Sequence, residues 1–300
     1  MNVLVTGSTG FVGKSIINSL KKGGFNVYAT SRSHDYQLDI TDSNNLKQIC
    51  NEKFIDVIVH TAAKAIVSNC ELDPFNTFKT NTLGVASVLE AARLSSVKKV
   101  IIFETDKVYG VQEVLPTDET QKLNPNSPYE LSKAMGSELC EFYRTYYGLD
   151  IISLRPVNIF GSNDKCYNRI IPATMMAIIN QKDVPLYNDA LKMERDFIHI
   201  DDVSRIVEML ILNKTQHNVY NLSAGYIWNI EKLVNHILKI TDTTTSKVNV
   251  IQKKHKFTEI PVQHIDGRRL IEEFNFQYSN FNESILKTIE GYKRHIERRD

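Results

Sequence analysis

The chain has 300 residues, 42% of them hydrophobic and 24% charged, with a formal net charge of +1 at pH 7. This supports a large core in one or two domains and gives no long-range attraction to nucleic acid or to an anionic membrane. No run of about eighteen apolar residues occurs, and MNVLVTGSTG lacks the basic and apolar segments of a signal peptide, so neither a membrane span nor export is expected.

Residues 3–5 form a short apolar run that ends at glycines and reads as a strand. Residues 11–20 carry Val12, Ile16, Ile17 and Leu20 at helical spacing, and Gly23-Gly24 stops them. Residues 27–29 read as a second strand, and a brief third lies around Leu38. Asp42 caps a helix through Cys50, and residues 55–59 are a fourth strand. The pattern then predicts one long helix over 74–94, a strand over 99–103, a helix over 128–147 and a strand over 151–154. Strands that are apolar on both faces and alternate with helices imply an α/β fold with a Rossmann-type, doubly wound parallel sheet.

After Arg155 the rhythm loosens. Strand-like pieces at 184–187, 197–200, 219–222 and 248–251 alternate with helices near 201–212, 230–240 and 283–294. We divide the chain into a dinucleotide-binding portion, 1–160, and a smaller α/β portion, 161–300, from which some segments return to the first. No Pro- or Gly-rich linker marks the border, and there is no internal repeat. The four cysteines, Cys50, Cys70, Cys140 and Cys166, form no CxxC and are expected to be reduced thiols in a cytoplasmic protein. The eight histidines show no metal-binding spacing, so no metal is expected. His199 reads as a hydrogen-bonded structural histidine, and Trp228 as a packing residue.

Gly7-Ser-Thr-Gly10-Phe-Val-Gly13 places three glycines between a strand and a helix. The first allows a sharp turn, the second a close approach of backbone to a diphosphate, and the third close packing of helix on strand. The phosphates would sit on the helix N-terminus. Gly13-Lys14-Ser15 resembles the end of a P-loop, but that motif needs a glycine where Ser8 stands. NAD-preferring sites place a carboxylate at the end of the second strand for the ribose hydroxyls. Here Ser31 and Arg32 stand there, a donor and a cation suited to a 2′-phosphate, so NADP is expected, with NAD as the alternative. The competing reading of Arg32 is a solvated surface residue.

Tyr129 and Lys133 lie one helical turn apart, and Tyr129 is the only tyrosine with a lysine four residues on. An unperturbed phenol titrates near pH ~10, so a neighbouring cation is needed to favour phenolate at neutral pH. The fifth strand ends in Thr105-Asp106-Lys107, a hydroxyl, a carboxyl and an amine at the strand end where doubly wound sheets build sites. The plain alternative is a polar turn with Asp106 and Lys107 in water.

Together these residues resemble the extended short-chain dehydrogenase/reductase family of nucleotide-sugar epimerases and dehydratases. The resemblance runs over nearly the whole chain: GSTGFVG, His60-Thr-Ala-Ala63, Asn81-Thr-Leu-Gly84, Thr105, Tyr129-xxx-Lys133, Arg155-Pro-Val-Asn-Ile-Phe-Gly161 and Arg195-Asp-Phe-Ile-His-Ile-Asp-Asp202. It implies an NAD(P) site formed by Gly7, Thr9, Gly10, Phe11, Val12, Gly13, Ser31, Arg32, Asp39, Ile40, Ala62, Ala63, Lys64, Asn81, Tyr129, Lys133 and Pro156. Asp39 would bond the adenine amino group. Thr105 would hold the sugar 4-oxygen and Tyr129 deprotonate it, while Asn158, Arg169 and Arg195 would contact the nucleotide-diphosphate sugar. The resemblance also implies a homodimer. Thr105-Asp106-Lys107 and Asn168-Arg-Ile-Ile-Pro172 are similar to the CDP-glucose 4,6-dehydratase branch, with Thr105, Asp106, Lys107, Tyr129 and Lys133 as catalytic residues. A 4-epimerase or an NADPH-dependent 4-keto-sugar reductase needs Thr105, Tyr129 and Lys133 only. A nucleotide-sensing regulator is the non-enzymatic alternative.

Overall fold

The computed structural model describes residues 1–33, 36–252 and 260–297. The chain divides into two compact units, one made of 1–110, 118–156 and 203–222, the other of 111–117, 157–202 and 223–300.

The first unit is built on a seven-stranded sheet. Its strands are β1 (Asn2–Thr6), β2 (Asn26–Ser31), β3 (Tyr36–Gln37), β4 (Val57–His60), β5 (Lys99–Phe103), β6 (Ile151–Pro156) and β10 (Val219–Leu222). They lie in the order β10-β6-β5-β4-β1-β2-β3, and every pairing is parallel. The order reverses at β1, which is the doubly wound topology expected from the sequence, with its crevice at the carboxyl ends of the central strands. On one face Leu4, Ile58, Val100 and Ile102 pack against the apolar sides of α2 (Ser43–Glu52), α5 (Gly84–Arg93) and α6 (Pro128–Tyr147). Val3 and Val5 point the other way and are equally buried. On that side α1 (Phe11–Lys22) lies beside α8 (Ile200–Leu212), with the Ser15 and Ser204 hydroxyls 3.1 Å apart.

The second unit carries a three-stranded sheet of β11 (Tyr226–Asn229), β9 (Glu194–His199) and β7 (Asn158–Phe160). A two-stranded parallel ribbon joins β8 (Val184–Tyr187) to β12 (Val248–Ile251). The helices α7 (Ile170–Ile179), α9 (Ile230–Ile240), α10 (Arg268–Phe274) and α11 (Phe281–Glu297) complete it. Phe160, Met175, Phe197, Leu233, Ile237, Phe281 and Ile285 form its core. Trp228 packs on His236 and Phe281, with ring centroids 4.7 and 5.4 Å away, as expected of a packing residue. The Nδ1 of buried His199 accepts from the Asp201 amide at 3.3 Å.

Two expectations differ from the structure. Residues 74–94 do not form one regular helix. The segment is α4 (Pro74–Phe78), a π-helical stretch over Lys79–Leu83 and then α5, and the wide turn carries Asn81. The border also falls a few residues before 160: residues 157–160 go with the second unit because β7 pairs with β9. The segment that returns to the first unit is 203–222, because β10 pairs with β6. Among the described residues no helix is long and apolar enough to cross a membrane.

Candidate active site

The glycine turn follows β1. Gly7 has φ +70°, and a Cβ there would lie 2.6 Å from the backbone nitrogen of Ala62. The Gly10 amide donates to the Gly7 carbonyl at 2.9 Å, and a Cβ at Gly13 would meet that same oxygen at 2.4 Å. The turn, β4 and α1 are thus packed backbone to backbone, which only glycine permits. No side chain caps α1 at Gly10 and no acidic residue stands in its first turn, so its N–H groups are available to an anion.

A cleft of about 840 Å³ opens over this turn. It is lined by Gly7, Thr9, Gly10, Ser31, Arg32, Asp39, Ile40, Ala62, Ala63 and Lys64, all expected from the sequence. It is also lined by Thr61 and Lys79, which sequence reasoning did not single out. Amide and hydroxyl donation from Thr41 keeps the Asp39 carboxyl below its usual range, so it remains an acceptor. The glycine cradle and the uncapped helix end fit a dinucleotide phosphate. Phe11 and Val12 lie on the first turn of α1, and Pro156 ends β6. Asn81 is buried and is not on the cleft wall. Its side chain accepts from the Lys64 amide at 2.8 Å and donates to the Lys64 carbonyl at 3.0 Å and to Ser132 Oγ at 2.9 Å. It therefore fixes the loop after β4 to α6.

At the end of β5 the chain turns through one 3₁₀ turn, Asp106–Tyr109, capped by Thr105. Thr105 Oγ1 donates to Asp106 Oδ1 at 3.2 Å, and the Lys107 amide donates to Thr105 Oγ1 at 3.4 Å. Asp106 is buried and Lys107 half-buried, so the reading of both as a solvated turn does not hold for Asp106. The helix α6 begins at Ser127, whose hydroxyl accepts from the Glu130 amide at 3.2 Å, with Pro128 in the first turn. Tyr129 is buried in that first turn, and Lys133 follows one turn later at 5% exposure. Lys133 Nζ donates to the Phe103 carbonyl at 2.7 Å, and burial lowers its pKa to about 8.

Two buried contacts here were given no role from the sequence, although His60 and Arg155 stand in motifs that carry the resemblance. Glu104 pairs with Arg155 at 2.8 Å, and Arg155 Nη1 donates to the Tyr109 hydroxyl at 2.9 Å. His60 contacts Thr6 Oγ1 through Nδ1 at 2.8 Å, and burial pushes its pKa down to about 3, so the imidazole is neutral.

The expected substrate residues lie in the second unit. Asn158 opens β7 and donates to the Asp196 carbonyl at 3.0 Å. Arg195, on β9, is buried and donates to the carbonyls of Glu194 and Pro261 at 2.9 and 3.2 Å. The β7·β9 register sets Asn158 opposite Phe197, two residues from Arg195. Arg169 precedes α7 and pairs with Asp164 at 3.0 Å.

Residues 3–223 match the NAD dependent epimerase/dehydratase family. The chain is 26% identical over 317 residues to a dTDP-glucose 4,6-dehydratase of Streptomyces griseus, an alignment covering 98% of this chain and 94% of the relative. It is 26% identical over 270 residues to a UDP-glucose 4-epimerase of Lacticaseibacillus casei, covering 80% and 82%. The crystal structure of the UDP-glucose 4-epimerase of Thermotoga maritima with UDP-glucose superposes with a TM-score of 0.91 at 25% identity, covering 99% of this chain and 100% of the other. The chain belongs to the NAD-dependent epimerase/dehydratase family and is an enzyme of that nucleotide-sugar class.

Proposed function

We propose that this enzyme is an NADP-using nucleotide-sugar 4,6-dehydratase, which converts a nucleotide-diphosphate hexose into its 4-keto-6-deoxy derivative. The observation that carries the reading is Asp106, a buried carboxyl joined to Thr105 on the turn that ends β5. Bound NAD(P) supplies the two-electron acceptor and donor for the sugar carbons. The Thr105 hydroxyl orients the sugar 4-oxygen, and Tyr129 takes its proton. The Lys133 ammonium favours the phenolate and has donors left for the cofactor's ribose. Once C4 is a ketone its neighbouring C5 proton is acidic, and Lys107 takes it, a role that requires its neutral form. Asp106, in its protonated form, delivers a proton to the departing 6-hydroxyl, which leaves as water; the C5–C6 double bond left behind would take back at C6 the hydride removed from C4, with Lys107 returning the proton to C5.

Asn158 and Arg195 contact the substrate diphosphate in this reading, Arg169 is a further substrate-binding residue, and Ser31 and Arg32 bind the 2′-phosphate of NADP. The free cysteines suit a cytoplasmic location. The protomer pairs across a two-fold axis through residues 74–94 and α6 in a four-helix bundle, and on α6 Leu131, Met135 and Phe142 expose apolar side chains along one face.

A 4-epimerase is the second reading, favoured by the whole-length match to the Thermotoga maritima UDP-glucose 4-epimerase. It needs Thr105, Tyr129 and Lys133 but neither Asp106 nor Lys107. Incubation with CDP-, GDP-, UDP- and dTDP-hexoses decides between them. A product lighter by the mass of one water supports the dehydratase; C4 inversion at unchanged mass, or consumption of NADPH by a 4-keto sugar, overturns it.

A further inference from the structure

Glu104 immediately precedes Thr105, yet it plays no part in the chemistry derived above. Its side chain is 1% exposed. Its amide is locked into the sheet by donation to the Leu154 carbonyl at 2.7 Å. Oε2 accepts from Arg155 Nε at 2.8 Å, while Oε1 is buried without a hydrogen-bond partner among the described residues. Burying a carboxylate with one oxygen unmatched is costly, and a hydrophobic residue of similar size would avoid that cost. Arg155 is held on its other side by the Tyr109 hydroxyl and stacks over the Tyr109 ring at 5.0 Å. The Tyr109 hydroxyl in turn donates to Asn221 on β10 at 2.8 Å. Glu104 is thus the fixed end of a rigid chain running from β10 through β6 to β5.

We infer that Glu104 is a positioning residue for the Tyr129–Lys133 pair, its buried negative charge holding Lys133 as the cation anchored on Phe103. The inference rests on the reading of those two residues as the proton-handling pair. The groups around Lys133 leave this role to Glu104. Cys140, on the same helix, and Cys70, on α3 (Val67–Leu72), are thiols whose pKa values burial raises, to about 12 for Cys140, so both are neutral. His60, on β4, is neutral for the reason given above and adds no charge. Arg155 is spent on Glu104 and Tyr109. Lys133 Nζ sits on the carbonyl of the peptide that joins Phe103 to Glu104, and the Glu104 carboxylate opposes the desolvation that would strip the ammonium of its proton. A plain adhesive role, with the Glu104–Arg155 pair merely joining β5 to β6, predicts no effect on that proton.

The test uses the full chain without cofactor or substrate, labelled with carbon-13 at lysine Cε and titrated by NMR, with Lys133→Arg to assign the resonance. In the unsubstituted protein Lys133 is expected to titrate near pH 8. Glu104→Gln should lower that midpoint by about one unit or more, the usual reach of a single nearby charge. Since Glu104→Gln leaves Arg155 buried and unpaired, Glu104→Gln/Arg155→Met serves as the second variant. It removes the stranded cation, and the midpoint should still fall. Glu104→Asp should keep the midpoint near its original value. A Lys133 midpoint unchanged in the double variant overturns the inference. The titration does not depend on turnover, so an enzyme that oxidises no nucleotide sugar would sink the proposed function and leave this result to be read by itself.

Discussion

The ammonium of Lys133 donates to the carbonyl oxygen of Phe103 at 2.7 Å, so the cation on α6 is pinned to the last residue of β5. The same contact places it beside the strand end that continues into Thr105 and Asp106. Lys133→Met removes the cation that favours the Tyr129 phenolate, and turnover should fall ~10²–10⁴-fold. Stability should respond in the opposite sense. Burial holds Lys133 at about pH 8, below its ordinary value of 10.5. Between those values the unfolded chain binds more protons than the folded one, so stability rises with pH across that window. The Met variant lacks this rise. Its Tm advantage at pH 7 should shrink as the pH approaches 10; a constant difference in calorimetry would contradict the assignment.

Asp106→Asn and Tyr129→Phe should separate the two chemical stages. Without the phenol no ketone forms and neither stage proceeds. Without the Asp106 proton, oxidation survives while elimination slows ~10²–10⁴-fold, so reduced cofactor accumulates with sugar that still carries its 6-hydroxyl. Rapid-quench mass analysis with absorbance of the reduced cofactor reads both. Turnover left intact in Asp106→Asn would point to the epimerase.

Arg32 is exposed at the rim of the cleft beside Ser31, and among the described residues no carboxylate stands at the end of β2 itself. Arg32→Glu should weaken NADP by about tenfold or more, since a charge-assisted phosphate contact is worth roughly 1.5–3 kcal/mol, and should spare NAD. Calorimetric titration of both cofactors measures it. Equal or tighter binding of NAD by the unsubstituted enzyme would refute the NADP preference.

Gly7→Ala tests the cradle. The left-handed backbone costs a non-glycine residue about 1–2 kcal/mol. The new methyl would also lie 2.6 Å from the Ala62 nitrogen, a backbone atom with little freedom to retreat. We expect a lower urea midpoint and loss of detectable dinucleotide binding. Retention of wild-type affinity would mean that the turn does not hold the phosphates.

Leu131, Met135 and Phe142 are 43%, 43% and 50% exposed along α6. Leu131→Glu/Met135→Glu should convert a dimer into a monomer in light scattering at micromolar concentration. A monomer already present before substitution would remove the proposed interface.

The parallel, doubly wound class of the sheet and most elements of the first unit were legible because parallel strands buried on both faces leave unbroken apolar runs, and their helices leave a 3.6-residue period. The glycine turn was legible for the same local reason, since a left-handed Gly7 and a Gly13 pressed on its carbonyl exclude every other residue. The strands β7 and β11 were not, because each is an edge of the second unit's three-stranded sheet, defined by its pairing with β9. Nor was α7, whose nearly continuous apolar sequence hides its helical face. The π-helical stretch that carries Asn81 depends on bonds from Asn81 to Lys64 and Ser132, residues far apart in the chain. Glu104 is the clearest case. In sequence it is one more acid before a polar turn. Only the tertiary structure buries it against Arg155, fifty-one residues away, and only that burial gives its charge a reach in which Lys133 can feel it.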